Sequence, residues 1–101
     1  MQVQTNKRYQ SIIRLHELLE QKQIPHEFVE LYDGYQIIYP SKGNCVMDAI
    51  EHSYSYGCEY DLLEIMGLLT AEERECDSVK GYLSYGEVLD RIENHWNSQK
   101  K

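Results

Sequence analysis

Apolar residues along this chain recur with two different periods, and the change of period divides the sequence into segments. Between residues 6 and 23 they recur every three or four positions, with charged residues between them, which predicts an amphipathic helix. Thr5 or Asn6 would be its N-cap. Ile24-Pro25 should end it, because proline lacks an N–H and disfavours helical geometry at the residue before it. The apolar stripe consists of Tyr9, Ile12, Ile13, Leu15, Leu18 and Leu19.

The next segment has the alternation of β-strands. Residues 26–32 alternate imperfectly, Asp33-Gly34 has the composition of a type I′ turn, and residues 35–39 are rich in β-favouring side chains. We therefore predict a β-hairpin with Asp33-Gly34 as its two-residue turn. Residues 45–52 fit a third antiparallel strand with Met47 and Ala49 on one face, and a helix through the same residues is the alternative.

Helical signals dominate the second half of the chain. Residues 53–57 form a predicted loop of small and aromatic residues, and the apolar positions of residues 60–69 fit a helix. Thr70-Ala71-Glu72-Glu73 and Ser84-Tyr85-Gly86-Glu87 have capping-box spacing, which predicts a short helix and then a final helix. The buried stripe of the final helix would be Val88, Leu89, Ile92 and Trp96.

These segments together predict an α+β fold. It has an N-terminal helix, a three-stranded antiparallel meander and two to three C-terminal helices packed on one sheet face. With 101 residues the chain has room for a single domain, residues 1–101, and we expect residues 1–5 and 97–101 to fray. No apolar run approaches the ~20 residues that span a bilayer, and the first eight residues lack a secretory signal, so we expect a cytoplasmic protein.

Negative charge is concentrated in one stretch. Seventeen acidic and ten basic residues give a net charge of -7, which disfavours direct binding to nucleic acid phosphates. Residues 59–77, here called the acidic strip, hold seven acidic residues and one basic residue. The strip is either a solvated face or a surface for a basic partner. Its candidate contact residues are Glu59, Asp61, Glu64, Glu72, Glu73 and Glu75.

Three tyrosines stand immediately before the acidic run of the strip. Tyr54, Tyr56 and Tyr60 offer large contact area for little loss of rotamer entropy, and tyrosine is enriched in protein interfaces. Alternatively, one or two of them pack against the end of the sheet. We expect a non-enzymatic module that binds another protein, one with a basic surface or a second copy of itself. A nucleic-acid mimic that inhibits a DNA-binding or defence protein is the second hypothesis.

The sequence offers little for catalysis or cofactor binding. Cys58 and His52 are its one local pair of nucleophile and base, and they support a cysteine-dependent enzyme only as an alternative. We expect no metal and no cofactor, because the histidines and cysteines form no zinc-ligand pattern and no glycine-rich phosphate loop is present. The three cysteines should be reduced thiols.

Four segments between Leu31 and Ile92 resemble a group of small proteins. They are residues 32–37 (YDGYQI), 51–57 (EHSYSYG), 61–70 (DLLEIMGLLT) and 81–84 (GYLS). The segments resemble proteins of prophages and conjugative elements in Gram-positive gut bacteria, whose function is not established. The resemblance implies a mobile genetic element as the setting, and it carries no functional residue to this chain.

Overall fold

In the computed structural model, which describes residues 8–100, strands and helices follow one another along the chain. The helices are α1 (Gln10–Gln21), α2 (Ala71–Cys76) and α3 (Tyr85–Gln99). The strands are β1 (Glu27–Leu31), β2 (Gly34–Ser41), β3 (Asn44–Glu51), β4 (Leu63–Met66) and β5 (Val79–Leu83). A short 3-10 helix, Cys58–Tyr60, precedes β4. None of the described helices combines the length and the apolar character needed to cross a membrane.

The strands form one antiparallel sheet in the order β1-β2-β3-β4-β5. Helices α1 and α3 contact each other and cover one face of this sheet. The core lies between them, and burying each large aliphatic side chain there stabilises the fold by roughly 2 kcal/mol. Its fully buried members include Ile12, Leu15, Leu19, Ile37, Met47, Leu63, Ile65 and Ile92.

The predicted three-stranded meander is wrong, because the sheet has five strands, although the α+β class is correct. The predicted helix over residues 60–69 is replaced by β4, in which buried Leu63 and Ile65 alternate with Glu64 and Met66. This alternation of side chains between the two faces of the strand extends over only four residues. Strand β5 has no prediction of its own, and its Lys80 and Gly81 are weak strand formers that depend on pairing with β4.

The first β-hairpin is confirmed, but its predicted turn is wrong by one residue. Leu31 pairs with Gly34, so the turn consists of Tyr32 and Asp33. Asp33 is held there because its carboxylate accepts hydrogen bonds from the Tyr9 hydroxyl at 2.6 Å and from the Ser53 N–H at 2.9 Å. Residues 44–51 form the predicted third strand and not the alternative helix, and Met47 and Ala49 face the core.

Both predicted capping boxes are confirmed. Thr70 and Glu73 exchange their two hydrogen bonds at the start of α2, and Ser84 and Glu87 do the same at the start of α3.

Helix α1 begins at Gln10, and the predicted N-caps Thr5 and Asn6 lie outside the described residues. Trp96 is partly buried against the core, as its place on the α3 stripe predicts. Helix α3 continues through Gln99, and the fraying of the chain ends stays a prediction.

Candidate functional site

Five tyrosines lie exposed at one end of the sheet, where the β1–β2 turn, residues 52–62 and the end of β5 meet. Their exposed fractions range from 52% to 76%. The predicted contact residues Tyr54, Tyr56 and Tyr60 are three of them, so the structure leaves these rings on the surface. We call the five residues the tyrosine cluster: Tyr32, Tyr54, Tyr56, Tyr60 and Tyr82.

Ring contacts join members of the tyrosine cluster. Tyr32 meets Tyr54 edge to face at 5.2 Å between ring centroids, and Tyr60 lies 6.4 Å from Tyr82. The ring of His52, which is buried, packs edge to face against Tyr32 with 4.9 Å between the ring centroids. Aromatic pairs in such geometry attract each other, which restricts the motion of the exposed rings.

Hydrogen bonds also fix the loop that carries Tyr54 and Tyr56. Ser55 Oγ accepts a bond from the His52 N–H at 3.0 Å and donates one to the His52 carbonyl at 2.9 Å. The Tyr54 N–H donates to His52 Nδ1, and the Tyr56 N–H donates to the Glu64 carboxylate at 2.8 Å. The loop therefore has a defined backbone conformation without a partner.

Two glycines allow this loop to pack directly against β5. Gly57 has φ 102, a left-handed conformation that costs glycine little, and a Cβ on it would lie 3.0 Å from the Tyr82 backbone. A Cβ on Gly81 would lie only 2.4 Å from the Tyr56 Cβ. The close approach lets the Tyr82 N–H donate to the Tyr56 carbonyl, which brings Tyr82 to the loop tyrosines.

The acidic strip does not form one surface. Glu59, Asp61 and Glu64 lie at the start of β4, beside the tyrosine cluster. Glu72, Glu73 and Glu75 lie on α2, which follows the other end of β4. Strand β4, which is roughly 10 Å long and has Glu64 as its second residue, leads from the first group toward the second.

Near the tyrosine cluster, two of the three predicted carboxylates accept hydrogen bonds from backbone N–H groups, and the third accepts one from a tyrosine hydroxyl. Asp61 accepts a hydrogen bond from the Ser11 N–H at 3.0 Å, and Glu64 holds the Tyr56 N–H. Glu59 is exposed, and its carboxylate accepts a bond from the Tyr82 hydroxyl at 3.3 Å. Glu59 is therefore the most accessible of these three carboxylates.

On α2, Glu73 is engaged in a structural ion pair. Arg91 of α3 donates two hydrogen bonds to its carboxylate, both at 2.8 Å. Those bonds, helped by the Thr70 N–H, lower the pKa of Glu73 to about 2. Glu72 and Glu75 are exposed. Of the three predicted contact residues on this helix, Glu73 is the one with its charge already neutralised.

Sequence reasoning missed Glu51, a carboxyl group buried beneath the loop. Its exposed fraction is 0%, and its Oε1 accepts a hydrogen bond from the Ile12 N–H in the first turn of α1 at 3.1 Å. Burial, and then the neighbouring Asp61 carboxyl, raises the pKa of Glu51 to about 9. The group is therefore protonated and neutral at pH 7. The sequence held one signal that Glu51 is buried. Glu51 follows Met47 and Ala49 at every second position of the strand, so it continues their buried face.

The structure gives the Cys58 and His52 pair no catalytic geometry. The Cys58 thiol points to the Ser53 carbonyl at 3.6 Å. His52 is buried, and its Nδ1 accepts the Tyr54 N–H. No hydrogen bond joins the thiol to the imidazole within residues 8–100. This arrangement gives the cysteine-dependent alternative no support.

A group of potential metal ligands lies where α1 leads into β1, and sequence reasoning missed it. His16 Nδ1 is 2.9 Å from His26 Nε2, and Glu20 Oε2 is 3.5 Å from the same nitrogen. The signal was the four-residue spacing of His16 and Glu20, which puts both on one helical face. His26 reaches them only through the turn that follows the helix.

Comparison with protein-family models, with curated proteins and with solved structures found no match to this chain. The mobile-element setting therefore stays a prediction.

Proposed function

We propose that the protein is a binding module that uses the tyrosine cluster to hold a protein segment bearing arginine or lysine side chains. The convergence of five exposed tyrosines from three separate chain segments carries this proposal. Exposed rings grouped in this way are typical of surfaces that a partner covers, because tyrosine contributes both apolar area and a polar hydroxyl.

The charge at this end of the sheet favours a basic partner. The electron-rich faces of Tyr60 and Tyr82 attract cations, and arginine stacks on such rings especially well. Glu59 lies beside them, within hydrogen-bond distance of the Tyr82 hydroxyl. A guanidinium stacked on these rings would therefore also reach a carboxylate. The net charge of -7 should speed the approach of a basic segment.

The fixed loop also supports a binding role. Side chains and loops that become ordered on association lose entropy, which weakens binding. Residues 52–57 are already held by the His52–Ser55 bonds and by the bond from the Tyr56 N–H to Glu64. A partner would meet a formed surface.

The same geometry gives less support to nucleic-acid mimicry. A mimic needs carboxylates spread over one surface at the spacing of phosphates, whereas β4 divides the acidic strip and Arg91 neutralises Glu73. A second copy of the chain is the other occupant that could cover the tyrosine cluster. Sedimentation of the purified protein would separate self-association from binding to a different protein.

Capture from a lysate of the native host tests the proposal with three forms of the immobilised protein. They are the wild type, the double variant Tyr54→Ser/Tyr60→Ser and the matched control Glu72→Gln/Glu75→Gln. All the changed side chains are exposed, so we expect each form to fold, which thermal melting would verify. A specific partner should be captured by the wild type and by the control, and lost with the tyrosine variant. Capture that needs Glu72 and Glu75 instead would overturn the proposal.

Salt provides a second test on the captured partner. Binding anchored by aromatic contacts should weaken only modestly as salt is raised, since screening acts on the Glu59 contact and leaves ring burial intact. A mimic that binds through several carboxylates should lose affinity much more steeply, because salt screens every one of its ion pairs. A steep loss of affinity with salt would favour mimicry.

A further inference from the structure

His16, Glu20 and His26 form a compact group at the junction of α1 and β1, away from the tyrosine cluster. Their potential ligand atoms, two imidazole nitrogens and one carboxylate oxygen, all lie within 4.8 Å of one another. We propose that these three residues bind one divalent transition metal ion, with Zn²⁺ as the best match. This inference is independent of the proposed protein-binding function.

The local fold brings the three side chains together. His16 and Glu20 are one turn apart on α1, so they share a face of that helix. The chain then reverses through Gln23, which has φ 59, and the Ile24 N–H donates to the Leu19 carbonyl. Pro25 prevents the helix from continuing. As a result, His26 returns to the side of α1 that carries His16 and Glu20.

Both imidazole rings are oriented without a metal. His26 has a side chain only 2% exposed, and its Nδ1 lies 2.8 Å from the Ile24 carbonyl, which can only accept. The proton of neutral His26 therefore sits on Nδ1, and the lone pair on Nε2 faces the group. Metal-binding histidines typically use a carbonyl in this way. The His16 ring is held by parallel stacking on Phe28, with 4.1 Å between the ring centroids.

Small side-chain movements would bring the three ligand atoms to the spacing of tetrahedral coordination. Zn–N bonds of 2.0–2.1 Å at tetrahedral angles place neighbouring ligand atoms about 3.4 Å apart. The separation of Glu20 Oε2 from His26 Nε2 is 3.5 Å, and that of the two imidazole nitrogens is 2.9 Å. The nitrogen pair must open by about half an ångström. The His16 and Glu20 ligand atoms lie within 4.8 Å of each other, and rotation of the exposed Glu20 side chain can bring its carboxylate oxygen to the same spacing. Without metal, the N–H at His16 Nδ1 donates to His26 Nε2. When an ion binds between the two nitrogens, neutral His16 changes tautomer, so that its proton is on Nε2 and Nδ1 is free to bind the metal.

The donor set selects the class of metal. Two imidazoles and one carboxylate suit Zn²⁺ and similar borderline ions, whereas Mg²⁺ and Ca²⁺ prefer a shell of oxygen atoms. Three protein ligands leave a fourth tetrahedral position for water or for a ligand from another molecule. Because the ion would link α1 to the start of β1, its binding should stabilise the folded state.

Titration with ZnCl₂ tests the site, in a background where Cys45, Cys58 and Cys76 are changed to serine because thiolates also bind zinc. We expect one ion per chain by calorimetry, a higher Tm with zinc, and visible absorption bands of tetrahedral Co²⁺ when cobalt replaces zinc. Glu20→Gln should weaken zinc binding by at least about tenfold, the loss that removal of a supporting residue alone produces. Its side chain is 64% exposed, so the fold should tolerate the change.

Glu17→Gln is the matched control. Glu17 lies on the same helix and pairs with Arg14, outside the metal group, so this variant should bind zinc like the background protein. Circular dichroism would verify that both variants are folded. Absence of one-to-one zinc binding would overturn the proposal, as would equal affinities of Glu20→Gln and Glu17→Gln.

Discussion

At the scale of single residues, Glu51 shows how burial sets the charge state of a side chain in this fold. The Ile12 N–H and the positive end of α1 favour the ionised carboxylate. Complete burial disfavours it more strongly, and the Asp61 carboxyl adds to that effect. The protonated form therefore prevails at neutral pH, and the folded chain holds a proton that the unfolded chain releases.

We predict a specific pH dependence from Glu51. Its folded pKa of about 9 lies above the ordinary value of 4.5, so its contribution to stability is complete below pH 4.5 and is lost as the pH rises toward 9. Glu51→Gln stays neutral and retains an acceptor for the Ile12 N–H. The variant should therefore exceed the wild type in unfolding free energy by at least about 1 kcal/mol at pH 8, and by less at pH 5. Urea unfolding at both pH values measures this difference, and parallel behaviour of the two proteins would contradict it.

Gly34 permits the close approach of β2 and β3 beside Glu51. A Cβ at this position would lie 1.9 Å from the Glu51 carbonyl oxygen, which is backbone and cannot move aside cheaply. Gly34→Ala should therefore cost at least about 3 kcal/mol of unfolding free energy. Gly43→Ala is the control, because nothing lies within 4 Å of its Cβ. Similar melting temperatures for the two variants would show that this strand contact is wrong.

At the scale of elements, α2 depends on its attachment to α3. A helix of six residues is unstable alone, because nucleation is unfavourable and few bonds follow it. Arg91 joins the two helices through Glu73, and it also donates to the Leu68 carbonyl at 3.0 Å. Glu73 in turn completes the capping box with Thr70.

Glu73→Gln should therefore cost about 2 kcal/mol at pH 7, because a largely buried, charge-assisted bond pair is lost. Glu72→Gln and Glu75→Gln should each change the unfolding free energy by less than about 0.5 kcal/mol, since their side chains are exposed. The low pKa of Glu73 means that its contribution exists above its ordinary pKa of 4.5 and disappears as the pH falls toward 2. Chemical denaturation at pH 7 and pH 3 checks both statements. Equal costs for all three variants would refute the role of Arg91.

Elements with local signals could be predicted from the sequence, and those that depend on distant pairing could not. The capping boxes act within four residues, so Thr70 and Ser84 marked the starts of α2 and α3. Strand β4 is four residues long inside a leucine-rich stretch that fits a helical period equally well. Strand β5 forms because Leu83 pairs with Leu63, a contact that no short window contains.

The candidate sites also contain some residues that lie close together in the sequence and others that meet only in the folded chain. Tyr54, Tyr56 and Tyr60 stand close together in the sequence, so their loop could be predicted as a candidate contact surface. Tyr32 and Tyr82 join them only through the hairpin turn and β5. His26 likewise reaches His16 through the reversal after α1. Spacing along the chain does not reveal such contacts.

At the scale of the whole molecule, the two proposed sites occupy different ends of the fold. The tyrosine cluster lies where β1 ends, whereas His26 lies just before β1 begins and Glu20 lies in the last turn of α1. No side chain is shared between the two groups. Zinc should therefore leave the affinity for the protein partner unchanged within about 0.5 kcal/mol, as expected for distant sites, and a titration of partner with and without zinc would measure any coupling.

A partner should bind at the tyrosine cluster and not at α2. An NMR footprint of the captured partner on the ¹⁵N-labelled protein distinguishes these two surfaces. Partner binding should shift the backbone signals of residues 32–33, 53–60 and 82 and leave those of residues 71–76 of α2 unchanged. Shifts confined to α2, with the tyrosine cluster unaffected, would contradict this prediction.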